Sequence, residues 1–123
     1  MAPQITSINP HPRAEIDQLA QRVVHQRFEG ANFLFLYGLK ASGILFINNS
    51  HRVLPNSDVV VLFLEVLPWL APGVIVHIHD VYLPHDYPQF MCDRGYSEQH
   101  FLATFLLANP AKYKTLLTNY FII

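Results

Sequence analysis

The chain has 123 residues, of which 51% are hydrophobic and 14% are charged, and its formal net charge is -1. This length suits a single domain spanning residues 1–123 and is too short for two. The near-zero charge gives no electrostatic attraction to nucleic acid or to an anionic membrane, so we expect neither as a partner. Because soluble domains are typically about 25% charged, we expect a partner chain to cover some of the apolar surface.

Cysteine content and the N-terminal sequence indicate a cellular location. Cys92 is the single cysteine, so an internal disulfide is excluded and a reducing compartment is indicated. Residues Met1–Ile8 have no basic region followed by an apolar run, which a signal peptide would need. The longest apolar stretch, Val59–Leu70, is interrupted by Glu65 and Pro68 and is too short to span a bilayer. We therefore expect a soluble, cytoplasmic protein.

The first third of the chain predicts a strand and then a helix. Gln4–Ile8 is a short β-leaning run that ends at a turn with two prolines. From Arg13 to about Phe28, apolar residues recur at three- and four-residue spacing, which predicts an amphipathic helix. Phe33–Tyr37 is apolar and is compatible either with a strand or with the start of a short helix.

Two continuous apolar runs flank a long helix in the middle of the chain. Gly43–Asn48 and Val74–His79 are typical of parallel strands covered on both faces, and we expect them to be neighbours in one sheet. Between them Ser57 is a good N-cap, and the segment from Asp58 to about Leu70 predicts a helix. That helix is apolar nearly all round, so we expect it to be buried on more than one side.

The last third predicts a loop, a helix and a strand. Val81–Tyr96 is rich in proline and aromatic residues and predicts a long loop. Ser97 predicts the N-cap of a final helix, which ends at Asn109–Pro110, and Tyr113–Ile123 is a strand candidate. The alternation of strands and helices along the chain predicts an α/β layered fold with a largely parallel sheet.

The segment His77–Pro88 is the richest in candidate chemistry. It starts at the end of the second apolar strand, where ligands bind in open parallel sheets. Alternation along a strand places His77 and His79 on the same face, and Asp80 falls where a carboxylate can accept a proton or bind a divalent metal. His79 and Asp80 are therefore candidate functional residues. His77 can equally be a hydrogen-bonded core histidine, and a zinc site of His77, His79 and His85 is a further alternative.

Two other polar segments have both a functional and a structural interpretation. Asn48, Asn49 and Ser50 follow the first apolar strand; they either face Asp80 across a cleft or simply make the turn into the next helix. Further along, Ser97 and Glu98 are explained as a helix N-cap and an acidic residue in the first turn, with a functional role for this segment as the alternative.

In combination, these segments resemble the late half of class I S-adenosylmethionine-dependent methyltransferases, and one bacterial branch in particular. The resemblance extends from about Ile5 to Ile123 and is carried by Ile44–His51, Ser57–Asp58, Leu67–Asp80, Tyr82–Pro88 and Tyr96–Gln99. It implies a truncated three-layer Rossmann-like fold with a mostly parallel sheet. It also implies S-adenosylmethionine as the cofactor and a hydroxyl of a small molecule or sugar as the methyl acceptor. His79 and Asp80 would then be the catalytic residues.

The chain departs from the family pattern at the cofactor site. The family's first strand and its glycine-rich turn have no counterpart, and the sequence contains no G-x-G. Asn9 occupies the cofactor-binding position where the family has an acidic residue for the ribose hydroxyls. Asn48 occupies a position that is usually aspartate. If a metal is bound, Asn48, His51 and Asp80 are its candidate ligands.

Two functions remain open from the sequence. The chain is either an impaired methyltransferase or a non-catalytic remnant that pairs with itself, most simply as a dimer. For a dimer we expect the interface near Ile5–Ile8 or Tyr113–Ile123, because the missing first strand leaves a sheet edge without its neighbour.

Overall fold

The computed structural model describes residues 6–8, 18, 20, 22–24, 28–30 and 33–118. This part of the chain combines short helices with parallel strands, which defines an α/β fold. Its strands are β1 (Thr6–Ile8), β2 (Arg22–Val24), β3 (Ile44–Ile47) and β4 (Ile75–Ile78). Its α-helices are α1 (Asp58–Val61), α2 (Gln89–Asp93) and α3 (Glu98–Ala108), with 3-10 helices at Phe28–Gly30, Phe33–Gly38 and Leu67–Trp69.

Strands β3 and β4 form the parallel pair that the sequence predicts. They run in register from Ile44 opposite Ile75 to Ile47 opposite Ile78. The pairing continues beyond β4, where the His79 N–H donates to the Ile47 carbonyl at 2.9 Å. The predicted pairing of Gly43–Asn48 with Val74–His79 is therefore confirmed, and the carboxyl ends of both strands lie side by side.

The two faces of β3 differ in their exposure. Ile47 is buried and belongs to the hydrophobic core, against which Leu45 packs. On the opposite face, Ile44 is 64% exposed and Phe46 is 55% exposed. The expectation that both faces of this strand are covered is wrong, because α1 and the turns after it cover the Leu45–Ile47 face, while the described residues leave Ile44 and Phe46 largely open.

The central helix begins where the sequence places it. The Ser57 hydroxyl accepts from the Val60 N–H at 3.2 Å, and helix α1 starts at Asp58. A π-helical turn (Leu62–Val66) and the 3-10 helix Leu67–Trp69 continue the same segment. Its apolar side chains form most of the core, which comprises Leu36, Ile47, Val59, Leu62, Phe63, Val66 and Leu67. Gly73, at a φ of 86°, then turns the chain into β4.

The N-terminal third differs from the sequence prediction. Arg22–Val24, inside the helix predicted over Arg13–Phe28, is a strand that pairs in parallel with Thr6–Ile8. Valine is β-branched, so its conformational preference favours an extended chain once a pairing partner is available. Much of the remaining predicted helix lies outside the described residues. Phe33–Gly38 is a 3-10 helix, so of the two alternatives for this segment the helix is correct.

The C-terminal third contains two further differences. Helix α2 occupies part of the loop predicted over Val81–Tyr96, with Pro88 at its N-cap position and Met91 buried. No strand forms over residues 113–118, the described part of the strand predicted for Tyr113–Ile123. Residues 119–123 lie outside the described range. Within the described part of the chain, no helix has the length and apolar character required to cross a membrane.

Candidate functional site

The ends of β3 and β4 bring four polar side chains together. His51 Nε2 lies 3.6 Å from Asp80 Oδ2 and 3.3 Å from Asn48 Oδ1. His79 Nδ1 lies 3.2 Å from the same Asp80 oxygen. One ligand atom from each of His51, His79 and Asp80 lies within 4.8 Å of the others. The polar segment after β3 therefore faces Asp80, as one of its two interpretations predicts.

The turn interpretation of the same segment is also correct. The Asn49 side-chain oxygen accepts from the His51 N–H at 2.9 Å, and the Ser50 N–H donates to Asp58 Oδ2 at 2.9 Å. Asn49 and Ser50 thus build the turn and tie it to α1. Because they do so, His51 is held facing the end of β4.

Two of the site residues have an unusual backbone conformation. His51 and Asp80 both have a φ of 59°. The left-handed region is uncommon for residues other than glycine and costs on the order of 1–3 kcal/mol for a strained residue. Such conformations cluster at functional sites, and here both aim a side chain into the same space between the strand ends.

A buried carboxylate orients His51. His51 Nδ1 lies 2.9 Å from Glu98 Oε1; the His51 side chain is 3% exposed and the Glu98 side chain 1%. The second carboxylate oxygen of Glu98 accepts from the Asn49 amide at 2.7 Å, and the Tyr96 ring lies 4.8 Å from the imidazole. A carboxylate accepts hydrogen bonds, so the proton of this contact sits on Nδ1 and the other ring nitrogen faces Asp80.

The start of helix α3 is built around the same histidine. The backbone N–H groups of Ser97 and Glu98 donate to the His51 carbonyl at 2.8 and 3.1 Å. The Ser97 hydroxyl accepts from the Val53 N–H at 2.8 Å and makes no capping bond to its own helix. The sequence places the N-cap at Ser97 and the acidic first-turn residue at Glu98 correctly. Both side chains have a further role that the local pattern does not show, because they hold the loop that carries His51. Three polar residues, Glu98, Gln99 and His100, open a largely apolar helix and were the available signal.

Gln99 fixes the loop that follows Asp80. Its side-chain oxygen accepts from the Tyr82 N–H at 2.8 Å, and its amide nitrogen donates to the His85 carbonyl at 3.0 Å. Its backbone N–H donates to the Tyr87 hydroxyl at 2.8 Å. Gln99 is fully buried, so the three bonds are shielded from water and hold the loop against α3.

Tyr87 should make the protein sensitive to alkaline pH. Burial, with a smaller contribution from nearby Glu98, raises the pKa of Tyr87 from 10.0 to about 12. As the pH rises, the Tyr87 hydroxyl therefore loses its proton at a lower pH in the unfolded chain than in the folded chain. The stability that the protonated hydroxyl contributes is present below pH 10 and is lost as the pH rises towards about 12. We expect the free energy of unfolding to fall over this range by up to roughly 1.4 kcal/mol per pH unit.

Urea unfolding at several alkaline pH values measures this effect, with Tyr87→Phe as the comparison. At neutral pH the variant should be less stable by about 1–3 kcal/mol, because the buried Gln99 N–H loses its acceptor. Above pH 10 it should lose less stability than the parent chain. Parallel pH profiles for the two proteins would contradict the assignment.

An apolar groove adjoins the site. It has a volume of about 1010 Å³, and His79 and Asp80 lie among its lining residues. Most of its wall is apolar and includes Leu70, Val76, Leu83 and Phe105. A groove with apolar walls and a few polar groups at one end is typical of a small-molecule site.

The remaining candidate residues are placed as follows. His77 is half-buried, and its ring lies 5.0 Å from that of Phe46, which also contacts His79. Among the described residues, the metal-competent group is His51, His79 and Asp80, so the alternative zinc set of His77, His79 and His85 does not form. Asn9 lies outside the described residues.

Comparisons of the chain with protein-family models, with characterised proteins and with solved structures found no significant match.

Proposed function

We propose that the chain is a methyltransferase-like protein that retains the acceptor side of the active site and binds the cofactor poorly. The observation that carries the proposal is the placement of His79 and Asp80 at the carboxyl end of β4, beside the groove. Asp80 is 26% exposed, so its carboxylate is accessible to a bound molecule. When bound, S-adenosylmethionine would supply the methyl group from its sulfonium sulfur and leave as S-adenosylhomocysteine. Asp80 would take the proton of an acceptor hydroxyl held in the groove, and His79 would orient the carboxylate.

The substrate class follows from the groove. Apolar walls with a carboxylate and an imidazole at one end favour a hydroxylated small molecule with an apolar body. We also propose that the β3–β4 pair belongs to a three-layer, mostly parallel Rossmann-like sheet, since this order places the site at the carboxyl ends of parallel strands. The single cysteine supports a reducing, cytoplasmic location.

The described residues do not fit S-adenosylmethionine well. The cofactor would supply the methyl group, but the residue that follows β3 is Asn48, whose side-chain oxygen faces His51 at 3.3 Å. The sequence provides no glycine-rich turn, and Asn9 is neutral. An amide forms weaker hydrogen bonds to a hydroxyl than a carboxylate does.

We therefore expect calorimetric titration of the purified chain to show weak or undetectable binding of S-adenosylmethionine. The dissociation constant should exceed about 10 μM, which corresponds to roughly -7 kcal/mol. S-adenosylhomocysteine, which lacks the transferable methyl group, serves as the second ligand. A tighter constant for either would show that the cofactor side is intact.

A second candidate function is a non-catalytic homo-oligomer, most simply a dimer. The specific observation is that large apolar side chains are exposed. Leu116 and Leu117 are each 67% exposed, and Ile44 is 64% exposed. Contiguous apolar surface marks an interface, and an open strand edge invites pairing with another chain.

For this candidate we expect light scattering at micromolar concentration to give twice the mass of one chain. The double replacement Leu116→Asp and Leu117→Asp should return the mass to one chain, because it places charges in the apolar contact. Leu54→Asp, at another exposed leucine, is the matched control. A single-chain mass for the parent protein would defeat the idea.

A further inference from the structure

We infer that His51, His79 and Asp80 bind a divalent transition-metal ion of the zinc type, and that Glu98 is the positioning residue that prepares His51 for it. This inference does not depend on methyl transfer, since a chain without activity would bind the ion equally well. It rests on the direction of the lone pairs at the ends of β3 and β4.

Three electron-pair donors converge at the strand ends. With the Nδ1 proton donated to Glu98, a neutral His51 presents its Nε2 lone pair to Asp80 Oδ2 at 3.6 Å and to Asn48 Oδ1 at 3.3 Å. His79 Nδ1 lies 3.2 Å from that same oxygen. Two acceptors facing each other repel unless a proton or a cation lies between them. A single cation bound by His51, His79 and Asp80 together would remove this repulsion.

The environment of His51 is the second, independent observation. Its side chain is 3% exposed, yet Nε2 faces the polar atoms of Asp80 and Asn48 at the strand ends. A histidine that donates its other N–H to a buried carboxylate is the usual arrangement of a metal ligand with its supporting residue. The left-handed backbone at His51 and Asp80 holds both donors in place.

The composition of the set selects the class of ion. Two imidazoles and one carboxylate suit zinc and its neighbours, and three protein ligands leave a further position open to water or to a bound molecule. Magnesium and calcium prefer sets made of oxygen atoms, so we expect them to bind much more weakly. A carboxylate has two oxygens, so Asp80 can contribute Oδ2 to the ion and still accept a proton on Oδ1.

The test is a metal titration of the purified full chain after treatment with a chelator. Zinc is followed by calorimetry, and cobalt(II) by the visible absorption that intensifies when the ion becomes four-coordinate. We expect one ion per chain and no comparable signal with magnesium. The readout contains no methyl donor, so its failure would be distinct from failure of the proposed methyl transfer.

Variants assign the ion to these residues. His79 and Asp80 are 46% and 26% exposed, so His79→Ala and Asp80→Asn should fold normally and abolish the cobalt spectrum. Glu98→Gln keeps the shape of the side chain and should weaken binding roughly 10- to 100-fold. His100→Ala, at an exposed histidine outside the cluster, is the matched control and should bind as the parent does.

Two results would overturn the inference. One is the absence of zinc and cobalt binding by the folded parent chain. The other is binding that persists unchanged in the His79→Ala and Asp80→Asn variants, which would place the ion elsewhere.

Discussion

Replacing Asp80 by asparagine should reduce the proposed methyl transfer to a hydroxyl acceptor by on the order of 100- to 10,000-fold, the usual cost of losing a general base. Asparagine has nearly the same shape but does not take up the proton of the hydroxyl. The measurement is the initial rate at high S-adenosylmethionine concentration, where weak cofactor binding is overcome by mass action.

The stability of the variant separates chemistry from folding. Asp80 is partly exposed and lies outside the hydrophobic core. Its replacement should therefore leave the free energy of unfolding within about 0.5 kcal/mol of the value for the parent chain. His85→Ala, further along the same loop, is the activity control. Unchanged turnover in Asp80→Asn would exclude Asp80 as the base.

Replacing Phe63 by alanine should lower the free energy of unfolding by about 3–5 kcal/mol. Phe63 is completely buried, and its ring contacts Phe101 at 4.9 Å and Phe105 at 5.3 Å between centroids. These contacts join the central helix to α3, which carries Glu98. The loss combines the transfer of an aromatic ring into water with an unfilled cavity.

Urea unfolding of the variant measures this loss, and the neighbouring residue supplies the control. Leu64 follows Phe63 in the same π-helical turn but is 60% exposed, so Leu64→Ala should change stability by about 0.5 kcal/mol or less. Equal losses for the two variants would show that the central helix does not pack as described.

The sequence predicts the central βαβ unit well because its signals are local and agree with one another. The apolar run before Asn48, the N-cap at Ser57 and the turn at Gly73 each specify one element boundary. Short β-strands at Thr6–Ile8 and Arg22–Val24 are different, because they exist through pairing with each other. Helical periodicity in the sequence carries no information about that pairing, so the helix predicted over Arg13–Phe28 is wrong where β2 forms.

The candidate site likewise combines features that the sequence predicts with features that only the tertiary structure determines. Sequence alone identified His79 and Asp80 at a strand end and placed the Asn48–His51 segment opposite them, because residues at the ends of neighbouring parallel strands must meet. Local sequence patterns assigned Ser97 and Glu98 to helix capping, since their nearest contacts along the chain are in the helix itself. Tertiary structure decided that Glu98 turns instead to His51, 47 residues away. A buried carboxylate requires a partner, and only the packing of α3 against the strand ends determines which partner it meets.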